Sequence, residues 1–305
     1  MPQAMGSTAS LDEYVNDLTS SACAEFCADR SNIPVESVRA RLVDYAGEVR
    51  LGATLLSPLK LQGRSVLEVG AGLGLLGVWL KRQGTSITLL EPGAGGFDHN
   101  RRLLDAVLEW LDACDTRILP IGAEALNPSE HGRFDVIYSV NVLEHIPQVE
   151  RALSAMVGVL AACGIMRHTC PNYAVPYEPH YGIPLVPFKP SLTAALIPSL
   201  AREEVWRSLT FITYRRVVRF CREHELQCRF DTGLLAKAFE RFDYDDGFSM
   251  RQGAAMRTGY RFLRATRLRS LLASIPPRWA TPMAFSCWPG DSPKQLSDNC
   301  EPGTN

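Results

Sequence analysis

The segment Val66-Leu67-Glu68-Val69-Gly70-Ala71-Gly72-Leu73-Gly74 constrains this chain more than any other. A β-branched run over 65–69 ends on a glycine, and a helix-compatible segment follows at about 74–83. A strand that turns this sharply into a helix needs residues that tolerate positive φ and let a ligand approach the backbone; glycine does both. The N–H groups that open the helix then favour a negatively charged ligand group. The pattern continues downstream. Residues 86–90 read as a second strand closing at Glu91-Pro92, a helix follows over about 98–113, and a third strand lies near 117–121. Residues 134–140 are a fourth strand, Pro147 suits the first turn of the next helix, and 164–170 are a fifth strand. Strands alternating with helices at this spacing predict βαβ units, an α/β fold with helices on both faces of a mostly parallel sheet.

Composition narrows the class. Of 305 residues, 46% are hydrophobic and 21% charged, a balance that supports a packed core and excludes wholesale disorder. Lys plus Arg number 32 and Asp plus Glu 33, so a net charge of −1 excludes a chain built throughout to bind polyanions. Residues 1–10 carry no positive charge and no apolar run, and so do not read as a secretory signal. The apolar stretch 152–166 is shorter than a spanning helix and reads as a buried helix running into a buried strand. Nine scattered cysteines, with Cys23 and Cys27 on one helix face, read as free thiols of a reducing cytoplasm.

Two readings of the glycine loop compete. Gly72, Gly74 and Gly77 fit the dinucleotide spacing G-x-G-x-x-G, which keeps a nicotinamide-dependent oxidoreductase in view. Against it, the strand ends at Gly70, which makes the spacing G-x-G-x-G; Glu68 stands inside the strand; and about 60 residues of helix precede the loop. Glu91 follows Gly70 by 21 residues, with Pro92 beside it, where a carboxylate accepts hydrogen bonds from the ribose hydroxyls of an adenosine.

Glu68-Val-Gly-Ala-Gly-Leu-Gly, Glu91 and Asn141-Val-Leu-Glu-His145 together resemble the class I S-adenosylmethionine-dependent methyltransferases, in particular those with small-molecule substrates. The resemblance covers about residues 62–172 well and the rest loosely. It implies a Rossmann-like three-layer sandwich whose seven-stranded sheet is mostly parallel, with its last strand antiparallel. It also implies site roles. Gly70, Ala71, Gly72 and Gly74 line the methionine and ribose of the cofactor, and Glu68 faces its amino group. Glu91 holds the ribose, and Ala123 and Glu124 flank the adenine. Asn141 and Val142 sit beside the sulfonium, with Glu144 and His145 at the pocket rim. One departure is the turn Ala162-Cys163-Gly164, where many relatives have two glycines.

Methyl transfer to a hydroxyl calls for a base, and histidine titrates near neutrality. His145, just past the fourth strand, and His180 are the candidates, each set against a structural role. His180 lies in a proline-stiffened segment, 171–184, whose Tyr173, Tyr177 and Tyr181 are candidate acceptor contacts together with Glu144; the bland alternative is a packed loop with core tyrosines. His168 inside the fifth strand reads as a buried histidine, and His99 as surface. None of these shows metal-ligand spacing, so no metal is expected.

Residues 171–200 hold seven prolines and four aromatics and read as irregular with one short helix. Residues 212–225 read as helix, 226–230 as a sixth strand, 251–274 as one basic helix, and 282–288 as a last strand. Arg257, Arg261 and Arg264 share one face of the basic helix, which reads as a solvated cover, an anionic-substrate or membrane-surface site, or a nucleic-acid contact, in that order. The chain therefore divides into a helical cover over 1–60, a catalytic domain over 61–290 with cap segments 171–212 and 233–280, and a disordered tail over 291–305. The function expected is transfer of a methyl group to a small molecule, on oxygen, with a non-catalytic cofactor-binding protein as a third hypothesis.

Overall fold

A computed structural model of the chain describes residues 10–93, 100–243, 249, 252–266 and 269–290. His99, Arg251, Arg267, nearly all of the N-terminal decapeptide and the tail from residue 291 lie outside the described residues. Contacts cluster into two compact units, Met1–Val142 with Gln148–Arg167 and Trp288–Asn305, and Leu143–Pro147 with His168–Cys287.

The first unit opens with three helices, α1 (Leu11–Leu18), α2 (Ser21–Ser31) and α3 (Val35–Leu56). Ser10 starts α1 through a capping box: its hydroxyl accepts from the Glu13 amide, and its own amide donates to the Glu13 carboxylate at 2.7 Å. Asn32, in the left-handed region, ends α2, and Pro34 stands at the cap of α3. Next come β1 (Ser65–Val69), α4 (Leu75–Arg82), β2 (Ser86–Leu90), α5 (Asn100–Trp110), β3 (Arg117–Leu119), α6 (Pro128–His131), β4 (Phe134–Val140), α7 (Val149–Gly158) and β5 (Leu160–Cys170). Pro147 lies just outside α7, whose cap is Gln148, and β5 begins at Leu160, four residues before Gly164.

β1 pairs in parallel with β2 on one side and with β4 on the other, Val66 opposing Ile87 and Val136. β2 pairs in parallel with β3. The chain order therefore reverses between β1 and β4, the kind of switch point at which open α/β sheets bind ligands beyond their carboxyl ends. The glycine loop leaves β1 there and Asn141 leaves β4 there. Leu67, Leu73, Leu89, Leu103, Leu104 and Tyr138 are fully buried in this unit, with Tyr14, Leu18 and Leu42 from the N-terminal helices. Burying each large apolar side chain stabilises the fold by about 1.5–3 kcal/mol, which is why the β-branched and leucine runs decide the strands.

The second unit holds a hairpin of two-residue strands, β6 (Tyr177–Glu178) against β7 (Ile183–Pro184), then α8 (Thr193–Leu196), α9 (Glu204–Ser208), α10 (Tyr214–Glu223), β8 (Leu226–Phe230) and, up to Cys287, β9 (Met283–Pro289). The seven-stranded sheet runs in the order β3-β2-β1-β4-β5-β9-β8. Asn172 organises the proline-rich segment. Fully buried, it donates to the Ala280 carbonyl at 3.0 Å and accepts from the amides of Ala174 and Tyr214 at 3.2 and 3.0 Å. The basic segment is not one helix: the described residues form Gly253–Ala265 and Arg269–Ala273. Its Arg264 is held by Asp243 at 2.6 Å, an acceptor shared with Tyr260. No helix among the described residues is long and apolar enough to cross a membrane.

Candidate active site

At the end of β1, Gly70 and Gly72 take φ of +69° and +55°, and both are hemmed in. A Cβ on Gly70 would lie 2.5 Å from a Val142 methyl carbon, and one on Gly72 would lie 2.3 Å from the Tyr45 ring. The loop is thus shaped by β4's exit on one side and by α3 on the other. Glu91 ties it to β2: its carboxylate accepts from the Gly72 amide at 2.7 Å and from the Gly93 amide at 2.9 Å. Burial pushes the Glu91 pKa up, and these two amides counter it.

Glu68 is buried beneath the same loop. Burial raises its pKa to about 8, against the Tyr138 hydroxyl and the Gly77 amide that face it; the Glu48 and Glu91 carboxylates push it further up. Its Oε2 has no hydrogen-bond partner among the described residues. Gly77 makes room for this carboxyl, since a Cβ there would lie 2.6 Å from Oε2. A buried carboxyl short of a partner, a ribose-type acceptor carboxylate and a close-approach glycine turn form a donor set that fits a zwitterionic adenosine ligand.

Asn141 has φ of +53° and donates from its side chain to the Glu48 carboxylate at 3.3 Å. Ala123 and Glu124 lie in a 3₁₀ turn after β3, Ala123 buried and Glu124 half-buried, and Pro92 is exposed beside Glu91. Tyr45 and Glu48 are additions from the structure. They stand on α3 among residues whose spacing reads only as core periodicity.

The second unit builds a different kind of site. Glu144 and His145 occupy a 3₁₀ turn, Leu143–His145, pinned by the Thr210 amide on the Glu144 carbonyl at 2.7 Å. His145 Nδ1 lies 2.7 Å from the Ser208 hydroxyl, which itself donates to the Val205 carbonyl at 2.8 Å. The Ser208 oxygen is therefore an acceptor, and His145 carries its proton on Nδ1. His180 is fixed likewise: its Nδ1 and its amide both meet Glu178 Oε1, at 2.6 and 2.8 Å. Tyr173 donates to Glu178 Oε2 at 2.6 Å.

Glu178 is fully buried, and burial works to raise its pKa, yet the bonds from His180 and Tyr173 hold it below the usual carboxylate value. It is ionised, so His180 too has its proton on Nδ1. The two rings meet edge to face with centroids 5.3 Å apart. Burial, then the neighbouring His180, lowers the His145 pKa to about 4. Burial and Glu178 push the Tyr173 hydroxyl well up, so it stays a donor.

Of the other expected contacts, Tyr177 bonds Gln252 and Tyr181 stands edge-on to Trp206 with ring centroids 6.3 Å apart. His168 is buried against Phe285, and burial lowers its pKa to about 3. It is a core histidine and takes no part in the cluster. Glu178 was not singled out from the sequence, although its place two residues before His180 was the signal available; Ser208 carried no signal.

Comparison with known proteins bears on the family and the fold. Residues 43–246 match the model of a family described as a methyltransferase domain. An uncharacterized protein of Mycobacterium tuberculosis (strain ATCC 25618 / H37Rv) is 35% identical over 223 residues, 70% of this chain and 75% of that protein. The ubiquinone biosynthesis O-methyltransferase of Psychrobacter cryohalolentis is 30% identical over 120 residues, 39% of this chain and 45% of that one. Among solved structures, the geranyl diphosphate C-methyltransferase of Streptomyces coelicolor A3(2) superposes with a TM-score of 0.50 at 12% identity, over 78% of this chain and 77% of that one, a likeness of fold.

Proposed function

The chain belongs to the methyltransferase domain family, the S-adenosylmethionine-dependent class, and from that premise we propose that it methylates a hydroxyl oxygen of a small molecule. When bound, S-adenosylmethionine supplies a methyl group already activated on sulfur, so the protein's work is to hold two partners and remove a proton. Glu91 takes the ribose hydroxyls, Glu68 the amino group, Gly70–Gly74 the methionine and ribose, Ala123 and Glu124 the adenine edge, and Asn141 and Val142 the neighbourhood of the sulfonium. The raised Glu68 pKa supports its share: an ammonium group is what would ionise that carboxyl.

The single observation that carries the choice of oxygen is the hydrogen bond of 2.6 Å between His180 Nδ1 and the buried Glu178 carboxylate. A buried carboxylate on Nδ1 fixes the tautomer, keeps the lone pair on Nε2 and stabilises the imidazolium that forms when Nε2 takes a proton. An alcohol or phenol needs such a base; a neutral amine or a stabilised carbanion does not. His145 shares the task, and its low pKa keeps it neutral as a hydrogen-bond partner of the acceptor. Tyr173 positions Glu178, while Tyr177 and Tyr181 line the acceptor's side. Residues 61–290 then form the catalytic domain, with 171–212 and 233–280 as caps and 1–60 as cofactor cover. Eight free thiols among the described residues suit a reducing cytoplasm.

Radiolabelled methyl donor and a panel of phenols, sugar derivatives, amines and carbon acids test this reading. The account predicts methyl ethers. Label confined to nitrogen or carbon would contradict the assignment to oxygen.

A further inference from the structure

We propose that Glu144, His145 and His180 bind a divalent cation of the kind imidazoles favour, zinc or a first-row neighbour, with coordination positions left for an acceptor oxygen. One ring nitrogen from each histidine and one Glu144 carboxylate oxygen all lie within 4.8 Å of one another. Ligand atoms around one tetrahedral zinc sit roughly 3.3 Å apart, given bonds of about 2.0–2.1 Å. The three side chains therefore need to draw together by only about 1.5 Å per pair.

The second observation is independent of that spacing. Each histidine commits Nδ1 to an orienting acceptor, His145 to the Ser208 hydroxyl at 2.7 Å and His180 to the Glu178 carboxylate at 2.6 Å. The acceptors are themselves fixed, Ser208 by the Val205 carbonyl and Glu178 by Tyr173. Metal-ligating histidines show this outer layer, because it sets the tautomer and aims the Nε2 lone pair. Two oriented imidazoles and a buried carboxylate thus lie together, a set of three side chains able to donate electron pairs. Two nitrogens and one oxygen suit zinc or iron(II) better than calcium or magnesium, which prefer all-oxygen sets.

The proposal rests on the reading of this cluster as the place where the acceptor is activated, and it refines that reading at one point. With the cation present, the cation rather than the His180 imidazole lowers the pKa of the acceptor hydroxyl, whose proton passes to solvent. An acceptor with two adjacent oxygens, able to occupy two open positions, is the class that gains most. The proposed ligands come from residues 144–145 and 180, with no local spacing to mark them, which is why the sequence led to an expectation of no metal.

The test titrates the chelator-treated full chain with Co²⁺ and reads the visible absorption of the bound ion and its stoichiometry. One equivalent is expected. Affinity should fall at least tenfold in each of His145→Ala, His180→Ala and Glu144→Gln, and about 10–100-fold in Glu178→Gln, which removes only an orienting charge. Binding of S-adenosylhomocysteine to the same variants, measured by calorimetry, reports that they are folded. Because Glu144 is buried, the two half-buried histidine variants carry the test if Glu144→Gln does not fold. No Co²⁺ binding by the wild type, or binding that survives both histidine substitutions, overturns the proposal. The assignment of oxygen as the methylated atom is read separately, from the products.

Discussion

The glycine loop and the histidine cluster reach their geometry by opposite routes. In the loop the chemistry is carried by backbone: amides of Gly72 and Gly93 on Glu91, positive φ at Gly70 and Gly72, and strand ends set by parallel pairing. Its parts fall within short stretches of one βαβ unit, apart from Val142 beyond β4 and the α3 side chains that pack on it. In the cluster the chemistry is carried by side chains from three separate stretches: a 2.7 Å bond joins His145 to Ser208, bonds of 2.6–2.8 Å tie 173–180 internally, and an edge-to-face ring contact links His145 to His180. The contrast suits the division of labour. In the proposed function, a cofactor shared by many reactions would be met by a backbone cradle, and an acceptor particular to one reaction by replaceable side chains.

That contrast breaks if a cluster substitution damages cofactor binding, or if a loop substitution spares it. The largest effect expected is on His180→Ala, which should lower kcat by about 10²–10⁴-fold while leaving the affinity for S-adenosylhomocysteine unchanged. Steady-state kinetics beside calorimetry separate the two. Next, Gly72→Val places a branched side chain at φ +55° against the Tyr45 ring. Strain of about 1–3 kcal/mol plus the displaced ring should weaken S-adenosylhomocysteine binding by roughly 100-fold. Tyr173→Phe deletes one bond to the ionised Glu178 and should lower kcat about tenfold, with the KM for the methyl donor unmoved.

A further effect lies in the loop half and concerns pH. The folded chain holds the Glu68 proton up to about pH 8, whereas the unfolded chain releases it near the ordinary value of 4.5. The folded state therefore binds more protons across that window, and its stability falls as pH rises through it. Below the window the contribution is fully present, and above pH 8 it is lost. Thermal melts without cofactor should show Tm declining from pH 5 to pH 8 more steeply in the wild type than in Glu68→Gln. Parallel declines would mean that Glu68 is not the group that holds the proton.

Legibility in the sequence follows the same divide. The strands 65–69, 86–90 and 134–140 were readable to the residue, because β-branched runs bounded by Gly, Pro and charged residues leave little choice of register; 226–230, which has no β-branched residue, matched as well. The placing of Glu68, the glycine turn and Glu91 side by side was also readable. The start of β5 was not, since Ala161, Ala162 and Cys163 alternate in neither polarity nor size. The basic stretch looked continuous because arginine and leucine recur helically throughout it, yet its described parts are two helices.

At the sites, Tyr45 escaped notice because its helix position matched core spacing. The His145–Ser208 bond spans 63 residues, and no local pattern reports a contact of that range. Gly72, Gly74 and Gly77 show the converse risk: they satisfy the dinucleotide spacing, yet Gly77 serves to admit the Glu68 carboxyl.

The most direct test of the division between cradle and cluster is calorimetric titration of S-adenosylhomocysteine into the wild type, Glu91→Ala and His180→Ala. The account predicts one equivalent bound by the wild type, at least tenfold weaker binding by Glu91→Ala, and wild-type affinity in His180→Ala. No binding by the wild type, or a Glu91→Ala chain that binds as tightly as the wild type, would contradict it.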